Sequence, residues 1–458
     1  MSTPEETKSS NNASITEKLQ TIPAEAVVCE LEKHILVDGF KIVIDVEKSK
    51  GSRLVDMPTG RSFIDLYTFY ASQPIGYNPP YFSRPEVEAD LLRAAKIKVA
   101  NADMYSVQYA TFVDTFARVM PLKPLERYFF IEGGALAVEN ALKAAMDWKV
   151  RKNIAAGKGE RGTEIIHFEG AFHGRSGYTL SLTNTDPKKV AYFAKFNWPR
   201  ISTPFIDFSL PEPQRTEDVI AKEKKAEAQI REVLAAKKDD IAAIIIEPVQ
   251  GEGGDRHFRK EWFQTLRQLA DENDVLLIFD EVQVCMGISG RNWCCEHFGV
   301  MPDILSFGKK AQVCGIMAGP RLDEVKDNVF RMPSRISSTW GGNFTDYVRS
   351  THNLRVIEQE NLVENARIKG DLLKKGIEEL AKKYPNTISA VRGLGLLIAF
   401  DLPTREMRDQ FWTGAYELGL LVIRCGERSI RLRPVLDVKD DVIEEALKLM
   451  DGQCRRFV

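Results

Sequence analysis

Five short apolar runs recur through the first two thirds of the chain, at residues 128–131 (YFFI), 165–168 (IIHF), 241–246 (IAAIII), 275–279 (VLLIF) and 304–307 (ILSF). Each has strand length, and most are rich in β-branched or aromatic residues. Helical patterns separate several of them, for example over 139–150 and 262–272. Residues 221–240 form a charged amphipathic stretch with Ile230, Val233 and Leu234 at helical spacing. A second long helical stretch, 362–384, stops before Pro385. Strand alternating with helix predicts an α/β fold on a mostly parallel sheet covered on both faces.

Each run leads into a segment that is polar or rich in glycine. After the first comes Glu132-Gly-Gly-Ala135, after the second Glu169-Gly-Ala-Phe-His-Gly-Arg175, and after the third Glu247-Pro-Val-Gln-Gly-Glu-Gly-Gly254. The fourth leads into Asp280-Glu-Val-Gln283 and the fifth into Gly308-Lys309. Open α/β sheets bind ligands at this carboxyl edge. Asp280 directly follows five apolar residues, so its carboxylate needs a cationic partner such as a protonated heterocycle nitrogen; a helix cap or a strand-end ion pair is the plainer alternative. Burial of Lys309 would push its ammonium toward neutrality, and a neutral lysine can form a Schiff base with an aldehyde. Lys310 competes for that role, and a surface lysine is the alternative for either. The glycines ahead of the helical stretch at 139 leave backbone N–H groups free for a phosphate. Phe172 could stack on a planar ring, and His173 is a base or a packing residue.

Residues 276–281 (LLIFDE) look like the magnesium-binding strand of a P-loop ATPase. That fold also needs G-x-x-x-x-G-K-[ST]. Here Asp303 stands five before Gly308, Lys310 follows Lys309, and the segment comes after the acidic strand, so the reading fails.

The 458 residues suggest two or three domains, and 44% hydrophobic with 28% charged residues allows a sizeable core. A formal net charge of -2 gives no electrostatic reason to expect nucleic acid or an anionic membrane as partner. No apolar run approaches the ~20 residues of a membrane span. The first twenty or so residues are polar and carry no secretory or mitochondrial pattern, which predicts a disordered leader over 1–21. Seven cysteines without C-x-x-C or metal-ligand spacing suit a reducing cytoplasm and predict no metal site.

Taken in order, these residues resemble the class III aminotransferases of the pyridoxal-phosphate fold type I superfamily. The resemblance runs from about residue 60 to the C-terminus and is densest over 246–315, where EPVQGEGG (247–254), FDEVQ (279–283) and PDILSFGK (302–309) succeed one another. It implies a large domain with a seven-stranded, mostly parallel sheet sandwiched by helices, and a smaller α+β domain from both chain ends. On this chain that places an N-terminal small-domain segment at 22–85, the large domain at 86–345 and the C-terminal small domain at 346–458. The implied cofactor is pyridoxal 5'-phosphate. Lys309 matches the Schiff-base lysine, Asp280 the partner of the pyridine nitrogen and Gln283 the residue near the phenolic oxygen. Phe172 matches the stacking aromatic, and Gly134 and Ala135 fall in the phosphate loop. Thr339 matches the threonine that reaches the neighbouring subunit's phosphate, which implies a homodimer with shared sites. Two departures stand out. Gly133-Gly134-Ala135 replaces the common S-G-S/T, leaving phosphate contacts to backbone N–H groups, and Cys285 takes the place of a glycine.

Within that family, GGALAVENALK (133–143), FEGAFHGR (168–175) and GKKAQVCG (308–315) most resemble the lysine 6-aminotransferases. That likeness implies ping-pong transfer of the terminal amino group of L-lysine to 2-oxoglutarate, giving 2-aminoadipate 6-semialdehyde and L-glutamate. Arg431 matches the arginine that grips the 2-oxoglutarate α-carboxylate, with Arg433 as its competitor. Glu252 matches the glutamate that masks this arginine when lysine is bound, and Arg175 is the candidate for the lysine α-carboxylate. Ornithine, 4-aminobutyrate or a diamine as donor, and a pyridoxal-phosphate protein without turnover, stay open.

Overall fold

The computed structural model describes residues 21–457; the expected leader, apart from Thr21, lies outside them. Near the N-terminus, β1 (Arg53–Val55) and β2 (Ser62–Asp65) form an antiparallel hairpin. Seven strands come next: β3 (Arg127–Ile131), β4 (Glu164–Phe168), β5 (Arg200–Ile201), β6 (Ile241–Ile246), β7 (Leu276–Asp280), β8 (Ile304–Phe307) and β9 (Cys314–Ala318). The last five are β10 (Ser389–Leu394), β11 (Leu397–Asp401), β12 (Leu420–Leu421), β13 (Ile423–Cys425) and β14 (Ser429–Leu432).

Strands β3 to β9 make one seven-stranded sheet in the order β3-β9-β8-β7-β6-β4-β5. From β8 to β5 every pairing is parallel, as the strand–helix alternation predicts. Helices Gly134–Ala155, Gln214–Lys237 and Lys260–Glu272 supply crossovers. Strand β9, which is not among the five apolar runs, is antiparallel to both neighbours. The turn between β8 and β9 is too short for a crossover, so the chain must double back. Lys309 lies in that turn, in the left-handed region at φ 44°.

Alternate residues of the central strands feed two cores. Ile244, Ile246, Leu277 and Phe279 face Trp262, Phe263 and Leu266 on one side. Ile245, Ile278 and Ile304 face Val138, Leu142 and Trp148 on the other. Parallel register then aligns the carboxyl ends: Ile246 pairs with Phe279, and Asp280 with Ser306. Asp280 and the loops after β3, β4, β6 and β8 therefore meet along one edge.

The chain ends join on a separate flank. Strands β10, β11, β14 and β13 form an antiparallel sheet, with Arg431 of β14 paired to Ala399 and Ile423. Strand β12 adds in parallel to β2, so the N-terminal hairpin is completed by the C-terminal part of the chain. Of the seven cysteines only Cys29 is exposed, and all are free thiols. Among the described residues no helix is long and apolar enough to cross a membrane.

Candidate active site

A cavity of about 570 Å³ opens at the carboxyl edge of the large sheet. Gly134, Ala135, Phe172, Arg175, Glu252, Asp280, Gln283 and Lys309 all line it. Residues from distant parts of the chain meet here because the parallel strands end together.

The two adjacent lysines separate. Lys310 is buried, and its Nζ donates to the carbonyls of Gln73 at 2.7 Å and Pro434 at 3.1 Å. Lys309 instead borders the cavity. Burial, and then the charge of Arg431, bring the Lys309 amine down to about 8. A larger share of neutral amine favours attack on a carbonyl.

Asp280 closes β7 almost without exposure. Its Oδ2 lies 2.7 Å from His173 Nδ1, and its Oδ1 accepts from Val282 N and Ser306 Oγ. Burial opposes charge on His173, but the Asp280 hydrogen bond and the charges of Asp280 and Glu247 outweigh it and raise the imidazole above its ordinary value. His173 Nε2 is buried without a hydrogen-bond partner among the described residues. Glu247 accepts from Phe172 N and Gly251 N, and burial pushes it up to about 7 despite the nearby His173. Phe172 is thus held by its backbone while its half-buried ring borders the cavity.

Beside Gln283, the fully buried Arg431 donates to Gln283 Oε1 at 2.7 Å and to Glu252 Oε1. The other Glu252 oxygen accepts from Lys189 Nζ at 3.0 Å. Burial alone would raise Glu252, but Arg431 and Lys189 bring it down to about 2. Neither arginine lines the cavity itself: Arg431 meets it through Glu252 and Gln283, which do, whereas its competitor Arg433 is held by Asp255 at 2.5 Å. Arg175 is exposed at the rim and makes no ion pair among the described residues.

At the opposite end the helix Gly134–Ala155 starts after Gly133, whose φ is 97°. A Cβ on Gly134 would lie 2.8 Å from Val282 Cγ1, so the loop and Val282 form a close slot. Free N–H groups at a helix start suit a phosphate. A cavity lined by Phe172, Val282 and the buried Asp280 carboxylate, with an amine of lowered pKa and the N–H groups of a helix start, fits pyridoxal 5'-phosphate. Thr339 is exposed and stands outside this chain's own cavity. The carbonyl of its neighbour Trp340 accepts from Glu132 N at 3.3 Å, which ties the segment to the loop after β3.

Several lining or supporting groups are not evident from sequence. Glu247 stands out there only as part of a motif. Val282 and Cys314 likewise stand only inside quoted motifs, and Lys189 carries no local signal, since its partner Glu252 comes from a distant loop.

Comparison with known proteins bears on most of the chain. The family model described as aminotransferase class-III matches residues 37–452. L-lysine-epsilon aminotransferase of Mycobacterium tuberculosis is 50% identical over 419 residues, 91% of this chain and 92% of that protein. The enzyme of the same name from Streptomyces clavuligerus is 46% identical over 422 residues, 92% of each. A solved lysine aminotransferase from M. tuberculosis superposes with TM-score 0.93 at 48% identity, covering 95% of this chain and all of the other. The chain belongs to the class III aminotransferases, with the α/β architecture of pyridoxal-phosphate fold type I.

Proposed function

We propose that this protein is a lysine 6-aminotransferase: it moves the terminal amino group of L-lysine to 2-oxoglutarate and yields 2-aminoadipate 6-semialdehyde and L-glutamate. The observation that carries the reading is the buried Arg431 paired with Glu252, which lines the same cavity as a lysine of lowered pKa. A cavity serving a diamino acid and a dicarboxylate in turn needs a cation that can be hidden and exposed. The names of the relatives support lysine as donor over ornithine, 4-aminobutyrate or a diamine.

Pyridoxal 5'-phosphate supplies an aldehyde to take the amino group and a ring that accepts electrons. Lys309 Nζ would hold the cofactor covalently, and its amine is the base placed to move the proton from the substrate carbon that bears the amine. Asp280 would hold a proton on the ring nitrogen, and His173 orients that carboxylate. Phe172 and Val282, which both line the cavity, would hold the ring. Gln283 would hold the phenolic oxygen, and the N–H groups at Gly134 and Ala135 would hold the phosphate. Arg175 takes the lysine α-carboxylate. Arg431 takes the α-carboxylate of 2-oxoglutarate after Glu252 withdraws.

The same reading makes the protein a homodimer in which Thr339 of each subunit reaches the other's phosphate. Exposed apolar residues near the phosphate end, Met104, Tyr105, Val107 and Trp340, favour a covered face there. The domain boundaries near residues 85 and 345 and a cytoplasmic location belong to this proposal. Free thiols and the absence of a membrane-spanning helix among the described residues agree with that location. The test is a screen of amine donors against 2-oxoglutarate. L-lysine should give glutamate fastest; a clear preference for ornithine or 4-aminobutyrate overturns the assignment.

A further inference from the structure

The masking carboxylate is held from two sides. Glu252 lines both the central cavity and a second, polar recess of about 980 Å³, and Lys189 lines only the second. Arg431 takes Oε1 from the protein side, and Lys189 takes Oε2 from the recess side at 3.0 Å. Arg431 is fully buried, whereas the Lys189 side chain is 29% exposed. Lys189 ends the short turn Pro187–Lys189, which Asp186 caps through Lys188 N. Its ammonium also lies 5.1 Å from the centre of the Phe172 ring, so it stands at the mouth of the site.

A carboxylate leaving Arg431 must be rehoused. Stranded without a cation in a half-buried position, it would carry a large desolvation cost and would repel an incoming dianion. While Glu252 bridges both cations, the contribution of Lys189 is partly redundant. Once a substrate carboxylate occupies Arg431, Lys189 is the cation already within hydrogen-bond reach, and the recess gives the side chain room to turn.

We propose that Lys189 is a specificity-determining residue: it receives Glu252 when a dicarboxylate displaces it from Arg431, so that one pocket can alternate between a diamino acid and a dicarboxylate. This inference rests on the masking role proposed for Glu252 and adds the partner that stabilises the unmasked state. The amine-donor half-reaction leaves the Glu252–Arg431 pair closed and draws little on Lys189. The dicarboxylate half-reaction opens the pair and depends on it.

The test measures glutarate binding to the holoenzyme by calorimetry. Glutarate has two carboxylates but neither the amine nor the ketone needed to react. Lys189→Met should weaken glutarate about tenfold, the size of a typical coupling between sites. Lys189→Arg should stay within about threefold, since it keeps the charge. In a Glu252→Ala background the same Lys189→Met change should alter binding by less than about twofold, because nothing remains to be rehoused. Single-turnover rates with L-lysine should fall less in Lys189→Met than glutarate affinity does. Equal weakening in both backgrounds would mean that Lys189 holds the anion itself, and no weakening in either would mean that Glu252 needs no second partner; each overturns the proposal. If Glu252→Ala alone leaves glutarate affinity unchanged, the masking reading fails first, which separates the two outcomes.

Discussion

Lys309 and Lys310 are consecutive in sequence, yet Lys310 Nζ is tied to the carbonyls of Gln73 and Pro434 while Lys309 borders the cavity. Their substitutions should therefore separate cleanly. Lys309→Ala should lose the absorbance of covalently held cofactor and the mass trapped by borohydride. Lys310→Ala should keep both and lose on the order of 2 kcal/mol of stability in denaturant melts, because two buried carbonyls lose their donor. A trapped adduct surviving in Lys309→Ala would move the attachment point elsewhere.

The amine of Lys309 is neutral above about pH 8, through burial and then the charge of Arg431. Only the neutral amine attacks an aldehyde. Capture of pyridoxal phosphate by cofactor-free protein should thus speed up as pH rises and level off above about 8. Glu252 works in the opposite direction and raises this value, so Glu252→Gln should shift the inflection to lower pH. Stopped-flow absorbance against pH checks both signs. An inflection near the ordinary lysine value of ~10.4 contradicts the burial argument.

Gly134 sets the width of the slot. Alanine there should favour the helix by as much as ~1 kcal/mol on propensity alone. Its Cβ, however, would come 2.8 Å from Val282 Cγ1, closer than packed atoms tolerate. The contact should win: Gly134→Ala should weaken cofactor binding, read as the concentration of pyridoxal phosphate at half occupancy. Adding Val282→Ala should restore part of the loss. A double variant no better than the single one would place the fault outside this contact.

Thr339 is the proposed contribution of one subunit to the other's phosphate. Thr339→Val keeps the shape and removes the hydroxyl. Cofactor affinity should drop about tenfold, the order expected for losing a hydrogen bond to a charged group, and Thr339→Ser should retain most of it. Sedimentation of the native protein should give a dimer. A monomer that binds cofactor at full affinity would end this part of the reading.

Much of the site is legible in the chain because its motifs stand at strand ends. Asp280, Lys309 and the glycines before the helix Gly134–Ala155 each come after an apolar run, and parallel strands of matched register carry such ends to one edge. Strand β5 is too short, at two residues, to leave a periodic signal. Strand β9 has a Cys-Gly start that does not read as an apolar run. Lys189 is invisible in the sequence because its partner Glu252 lies 63 positions away on a different loop.

The sequence by itself determined the strand–helix alternation, the acidic and basic residues at the strand ends and the family likeness, because periodicity and local motifs are short-range properties of the chain. Tertiary structure alone decided which of two adjacent lysines borders the cavity, which of Arg431 and Arg433 reaches Gln283 and Glu252, and that Lys189 shares the Glu252 carboxylate. Those choices depend on burial and on charges from remote loops, and both come into being only when the sheets and the chain ends pack together.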